Sequence, residues 1–355
     1  MSQLLFDIVD TSILKENSKI YLNKSFEYFS KSLIEKKTVI KKGLLEDIYK
    51  HSSAHSIKEN SLAWFGLSIL KALHQEGNID ILNQGFVEDV LTDLLTNENK
   101  LDLDISHQKT AKFNYAIPIN LTEKLKFNFE GWQAFRHYEE YEKWKSTLAK
   151  SVDLISSINP LILDDLNILI ENVLTVYSKN GSHGSMSPKN ITGTIYLPDI
   201  NDYTLLAECL VHEALHQYLY RLEHSSSLFT ENDGNQELYY SPWKDEPRPL
   251  IMVLHGAFVF TGVILFYQSL CDMNILPKKH QLFRERLSHR FAQVNTAIDV
   301  LNHNDKFTSF GRSILNIMRE YLSDVKEHIV LSSDLEDIVA HKNRFSKSNY
   351  VHVSI

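Results

Sequence analysis

The feature that most constrains this chain is residues 250–267, LIMVLHGAFVFTGVILFY, eighteen positions without a formal charge. By length such a run can cross a bilayer. It is equally the signature of a helix buried on every face of a helical domain. Two observations favour the second reading: no companion span exists, and His255 sits inside the run, where lipid would make it costly. The run therefore predicts a central core helix. It also sets a requirement, because a buried imidazole needs a partner.

The rest of the composition fits a globular domain. Of 355 residues, 43% are apolar and 23% charged, proportions that exclude a disordered chain. A net charge of -8 gives no electrostatic footprint for nucleic acid. Cys209 and Cys271 stand far apart in apolar helical surroundings, so neither a disulfide framework nor a multi-cysteine zinc site is expected. Residues 1–16 carry Asp7 and Asp10 and no basic segment ahead of an apolar core, unlike a secretory signal. A cytoplasmic protein without a nucleic-acid or membrane partner is the expectation.

Along the chain, three-to-four spacing of apolar residues predicts helices over 20–34, 62–73 and 86–95. Alternation around Phe113 and Phe127 predicts two strands. Helical periodicity returns over 132–158 and 161–177, separated by Asn159-Pro160. Residues 179–193, KNGSHGSMSPKNITG, read as a loop too polar and flexible for a core. A short strand at 194–197, capping residues at 199–202 and a helix over 203–223 follow. A second loop spans 225–249 ahead of the apolar helix, and two or three more helices fill 281–301 and 309–340. The class expected is α+β, mainly α, with a small sheet. The division expected is a helical region 1–104 and a catalytic domain 105–355, with residues 187–266 forming the site.

The predicted helix 203–223 contains His212-Glu213-Ala214-Leu215-His216. Histidines four apart on a helix lie one turn above each other, about 6 Å apart along the axis. Both imidazoles can then reach one divalent ion, which is what the HExxH pattern exploits. A strand, a capped turn and an apolar amphipathic helix holding the motif form a zincin-like local arrangement.

The third ligand decides the class of chemistry. The metzincin extension needs glycine and histidine where this chain has Leu219 and Leu222, which excludes it. The gluzincin glutamate would fall on Asn235, and Glu231, Asp233 and Glu237 lie nearby in a polar loop. His224 is turned about a third of a turn off the His212/His216 face, toward solvent. His255 remains, since a metal bond would remove the cost of its burial. A core histidine satisfied by another partner is the competing reading.

Two histidines with His255 would leave open positions on the ion, as catalysis requires. With zinc, Glu213 is the candidate general base for peptide-bond hydrolysis. With iron(II), the set is a variant of the facial triad, open to a co-substrate and dioxygen. A 2-oxo acid would need a cation for its distal carboxylate, and Arg248, seven residues before His255, is placed for a bidentate pair. A solvated Arg248 between Pro247 and Pro249 competes with that role, as do Arg284, Arg286 and Arg312 as alternative cations.

The run LAECLVHEALHQ, with LYYSPWKDEPRPLIMVLHGAFVF after it and SPKNITGTIYLP before it, resembles the HEXXH-motif domain family of ribosomal peptide natural-product maturation. The resemblance covers about residues 187–266. It implies an iron(II)- and 2-oxoglutarate-dependent hydroxylase acting on the β-carbon of a precursor-peptide side chain. His212, His216 and His255 match the family's metal positions, and Arg248 matches the arginine of its PWxxDPRPL-type block, where this chain has Glu246 for the usual aspartate. A zinc metallopeptidase, zinc or manganese as the native metal, and a non-catalytic peptide-binding module are the alternatives. Residues 1–104 are candidates for leader-peptide recognition or for packing as a homodimer, and the strands near Phe113 and Phe127 for edge addition of a peptide.

Overall fold

The computed structural model describes residues 138–170, 172–178, 184–187, 189, 193–230, 237–325 and 332–347, with residues 13, 14, 16, 17, 20, 114, 115, 132 and 133 before them. The helices expected over 62–73 and 86–95, nearly all of that over 20–34, the Phe127 strand and the boundary at 104/105 lie outside these residues. What is described is mainly helical with a small sheet, the α+β class expected. The chain forms two compact units, residues 11–221 and residues 1–10 with 222–355.

The first unit is organised on β3 (Asn172–Ser178). It pairs in parallel with β4 (Thr194–Pro198), Val173 opposite Ile195 and Thr175 opposite Leu197. β1 (Asn114–Tyr115) runs parallel to the start of β3, and β2 (Trp132–Gln133) antiparallel to its end. Two helices differ from their expected bounds. The helix expected over 161–177 stops as α2 at Leu161–Leu169, and Asn172–Ser178 is β3. Val173, Thr175 and Val176 are β-branched, and the ladder with β4 satisfies backbone groups that a lone helical turn would leave open. The helix expected from 132 begins six residues later, as α1 (Tyr138–Ile158), because Trp132 and Gln133 pair with Ser178 and Tyr177.

α1 is held to β4 by Trp144, whose indole N–H donates to the Pro198 carbonyl at 3.1 Å. The helix that follows, α3 (Tyr203–Ser225), starts where Asp202 accepts from the Thr204 amide at 2.9 Å and its hydroxyl at 2.7 Å. Capping of this kind satisfies donors that the first turn cannot. Further along, Arg221 is 2% exposed and donates to the Ile168 and Leu169 carbonyls that end α2.

The second unit is built around α4 (Leu250–Asp272), which starts directly after Pro249 and runs five residues past the apolar stretch. The helix is long and apolar enough to cross a membrane, but 78% of that window is buried in the protein. Its apolar surface meets α5 (His280–Asn302) and α6 (Ser309–Val325), and α7 (Ser332–Lys347) packs on α5. The loop before α4 closes with a short antiparallel pair, β5 (Leu238–Tyr239) and β6 (Arg248–Pro249).

Candidate metal centre

Every residue of α3 from 204 to 223 is buried except Leu205, Cys209, His212, His216, Tyr220 and Glu223. These six recur at steps of three and four, so they form one stripe along a helix otherwise packed on all sides. The motif histidines therefore occupy the accessible face. Their rings lie 4.9 Å apart between centroids at 74°. His216 in turn stacks on Tyr220, with centroids 6.1 Å apart and planes at 19°. Two imidazoles this close on an open stripe can share a divalent ion. Among the described residues, no three His, Cys, Asp or Glu side chains gather tightly enough to hold one.

Glu213 points off the stripe and is 1% exposed. Burial pushes its carboxyl up to about 7, while the Ser185 and Ser187 hydroxyls pull it back down. One carboxylate oxygen is 3.9 Å from His212 Nε2, and the other, Oε2, is buried without a hydrogen-bond partner. An orphaned buried oxygen on the carboxylate beside His212 fits a polar or cationic neighbour.

The serines belong to a segment expected to be a loose loop. Met186 instead forms an antiparallel bridge to Tyr196, with N–H···O distances of 2.9 and 2.8 Å. Ser187 is buried because its hydroxyl donates to the Glu213 carbonyl at 2.9 Å and its carbonyl accepts from Tyr220 at 3.1 Å. Gly193, at φ 86°, donates its amide to the buried Gln217 side chain at 2.7 Å. The polarity that reads as loop in the sequence is used to fasten Ser187 and Gly193 to α3.

In the second unit, His255 is 5% exposed on α4, as the apolar run requires. Its partner is Glu223: His255 Nε2 lies 2.7 Å from Oε1, with the two side chains 6% and 9% exposed. The apolar run implies a partner for His255 without identifying Glu223. The signal was present, since Glu223 follows His216 by seven residues and His212 by eleven, both returns to the same helical face within about 20°. Tyr220, four residues after His216, was equally readable. His224, expected toward solvent, is half-buried.

Arg248 lies in β6, its side chain 34% exposed and 3.7 Å from Glu246. Its Nε is buried and has no acceptor. Two competing arginines are already engaged: Arg286 donates to the Tyr267 hydroxyl at 2.7 Å, and Arg312 to the Asn304 carbonyl. Arg284 is exposed on α5. Compared with protein-family models and with curated proteins, the chain matches none.

Proposed function

We propose that this chain is an iron(II)- and 2-oxoglutarate-dependent hydroxylase that acts in the cytoplasm on the β-carbon of a side chain in a ribosomally synthesised precursor peptide. The observation that carries the reading is the adjacent His212 and His216 pair on the single accessible stripe of a buried helix. In this reading the two donate to the ion. Bound iron(II) with the oxo acid and dioxygen supplies the oxidising power for C–H insertion, the oxo acid leaving as succinate and carbon dioxide.

The choice of a 2-oxo acid rests on the resemblance of the PWKDEPRPL block and on Arg248. Its buried Nε lacks an acceptor, and a distal carboxylate would accept from Nε and Nη together. A peptidase reading gives that group no role. The second reading, a zinc metallopeptidase, is favoured by Glu213, which stands 3.9 Å from His212 with a carboxyl raised to about 7. A base poised near neutrality suits water activation.

Anaerobic addition of iron(II) and 2-oxoglutarate to the purified protein tests the choice. The proposal expects the visible charge-transfer absorption of an iron-bound 2-oxo acid, lost in His212→Ala and weakened in Arg248→Ala. Oxygen with the cognate peptide should then add 16 mass units and release succinate. Absence of the absorption, together with zinc-dependent peptide cleavage abolished by Glu213→Gln, would replace it with the peptidase.

A further inference from the structure

We propose that Tyr220 is a positioning residue for His216: its ring lies along that imidazole and holds it in the orientation from which it donates to the ion. The inference rests on the reading of His212 and His216 as metal donors given above. Its own basis is a set of contacts inside the unit of residues 11–221, where Tyr220 meets His216, Ser187 and Lys189.

Three contacts fix the Tyr220 ring. It stacks on His216 with centroids 6.1 Å apart and planes at 19°, within the offset range that aromatic pairs favour. Its hydroxyl donates to the Ser187 carbonyl at 3.1 Å. The Lys189 ammonium lies 6.0 Å from its centroid, at the reach of a cation–π contact. The acceptor is itself anchored. Met186 bridges to Tyr196 of β4, and the buried Ser187 hydroxyl donates to the Glu213 carbonyl at 2.9 Å. Ser187 therefore ties α3 at two points that bracket His216, residue 213 before it and residue 220 after it.

This arrangement does more than cover the helix. Tyr220 stands on the accessible stripe of α3, where an aliphatic side chain would shield the backbone as well. A hydroxyl held by an anchored carbonyl matters when the direction of the ring matters. A histidine on an open helical face otherwise samples several staggered rotamers, and an ion must select one of them. Fixing that side chain beforehand removes an ordering cost worth about 2–10-fold in affinity. The stack on His216 supplies such a constraint without occupying either ring nitrogen, because it acts on the face of the imidazole.

Cobalt(II) titration of the full chain, followed by its visible absorption, tests the role. Tyr220→Leu should weaken binding by about 2–10-fold, and Tyr220→Phe, which keeps the ring and loses only the hydroxyl, should recover part of that loss. Wild-type affinity in Tyr220→Leu, or equal losses in the two variants, overturns the inference. The parent reading has its own control. If His212→Ala binds cobalt as tightly as wild type, that reading fails, and this inference with it. If His212→Ala abolishes binding while Tyr220→Leu changes nothing, only the role of Tyr220 fails. Nuclear Overhauser contacts between the His216 and Tyr220 ring protons supply a readout that a loss of stability does not imitate. A preset imidazole keeps those contacts when zinc is added to the wild-type protein. Their loss on zinc binding, or their absence before it, overturns the proposal whether or not the variants fold.

Discussion

Replacing Gly256 with alanine tests how the loop before α4 is seated on that helix. A Cβ at Gly256 would stand 2.6 Å from Cζ3 and 2.7 Å from Cε3 of Trp243. Carbon atoms in good contact sit about 3.5–4 Å apart, so the indole must move by roughly an ångström. It is not free to do so, because it stacks on Phe260 with centroids 5.3 Å apart and planes at 17°. Phe260 itself lies 4.4 Å from the Arg290 guanidinium. Two opposing effects set the outcome. Alanine in a helix interior gains about 1 kcal/mol over glycine. Overpacking costs about 1–3 kcal/mol, and a displaced stack about 0.5–1.5 kcal/mol more. The clash should win, with a net loss of about 1–3 kcal/mol in urea unfolding followed by circular dichroism. The decisive measurement repeats the substitution in a Trp243→Ala background. With the indole gone, only the helix gain remains, so Gly256→Ala should turn stabilising by about 1 kcal/mol. The same effect in both backgrounds, or stabilisation in the wild type, refutes the reasoning.

Three further outcomes are expected. Glu213 titrates near 4.5 when exposed and about 7 when folded, so the folded metal-free protein holds a proton that the unfolded chain has released between those values. Its contribution to stability is present below about pH 4.5 and lost as pH rises through 7, about 3 kcal/mol in all, and Glu213→Gln should flatten that part of the urea-unfolding profile; an unchanged slope refutes it. Arg221→Lys should cost about 3 kcal/mol in thermal unfolding, since a point charge cannot cap both the Ile168 and Leu169 carbonyls; a loss under about 1 kcal/mol counts against that capping role. His341 bonds the Tyr240 hydroxyl at 2.7 Å and lies 3.3 Å from Asp245, so His341→Ala should speed amide exchange across residues 237–249, and unchanged exchange there would show that α7 does not brace the loop.

What could be read from the sequence divides along a physical line. The His212/His216 pair, the Asp202 cap and the burial of α4 depend on fixed offsets within one helix, and there the spacing determines the geometry. The α2–β3 boundary depends on competition. Residues 170–177 are apolar enough for either a helix or a strand, and β4, more than twenty residues away in sequence, decides it. Ser187 and Gly193 misled for the same reason: serine and glycine signal a loop until α3 supplies acceptors for their donors. His255 shows how far the limit reaches. Hydropathy could demand a partner for a histidine inside an apolar run, because the cost of burial follows from composition alone. It could not choose between a metal and Glu223, because that choice depends on which side chain of α3 the helix α4 meets.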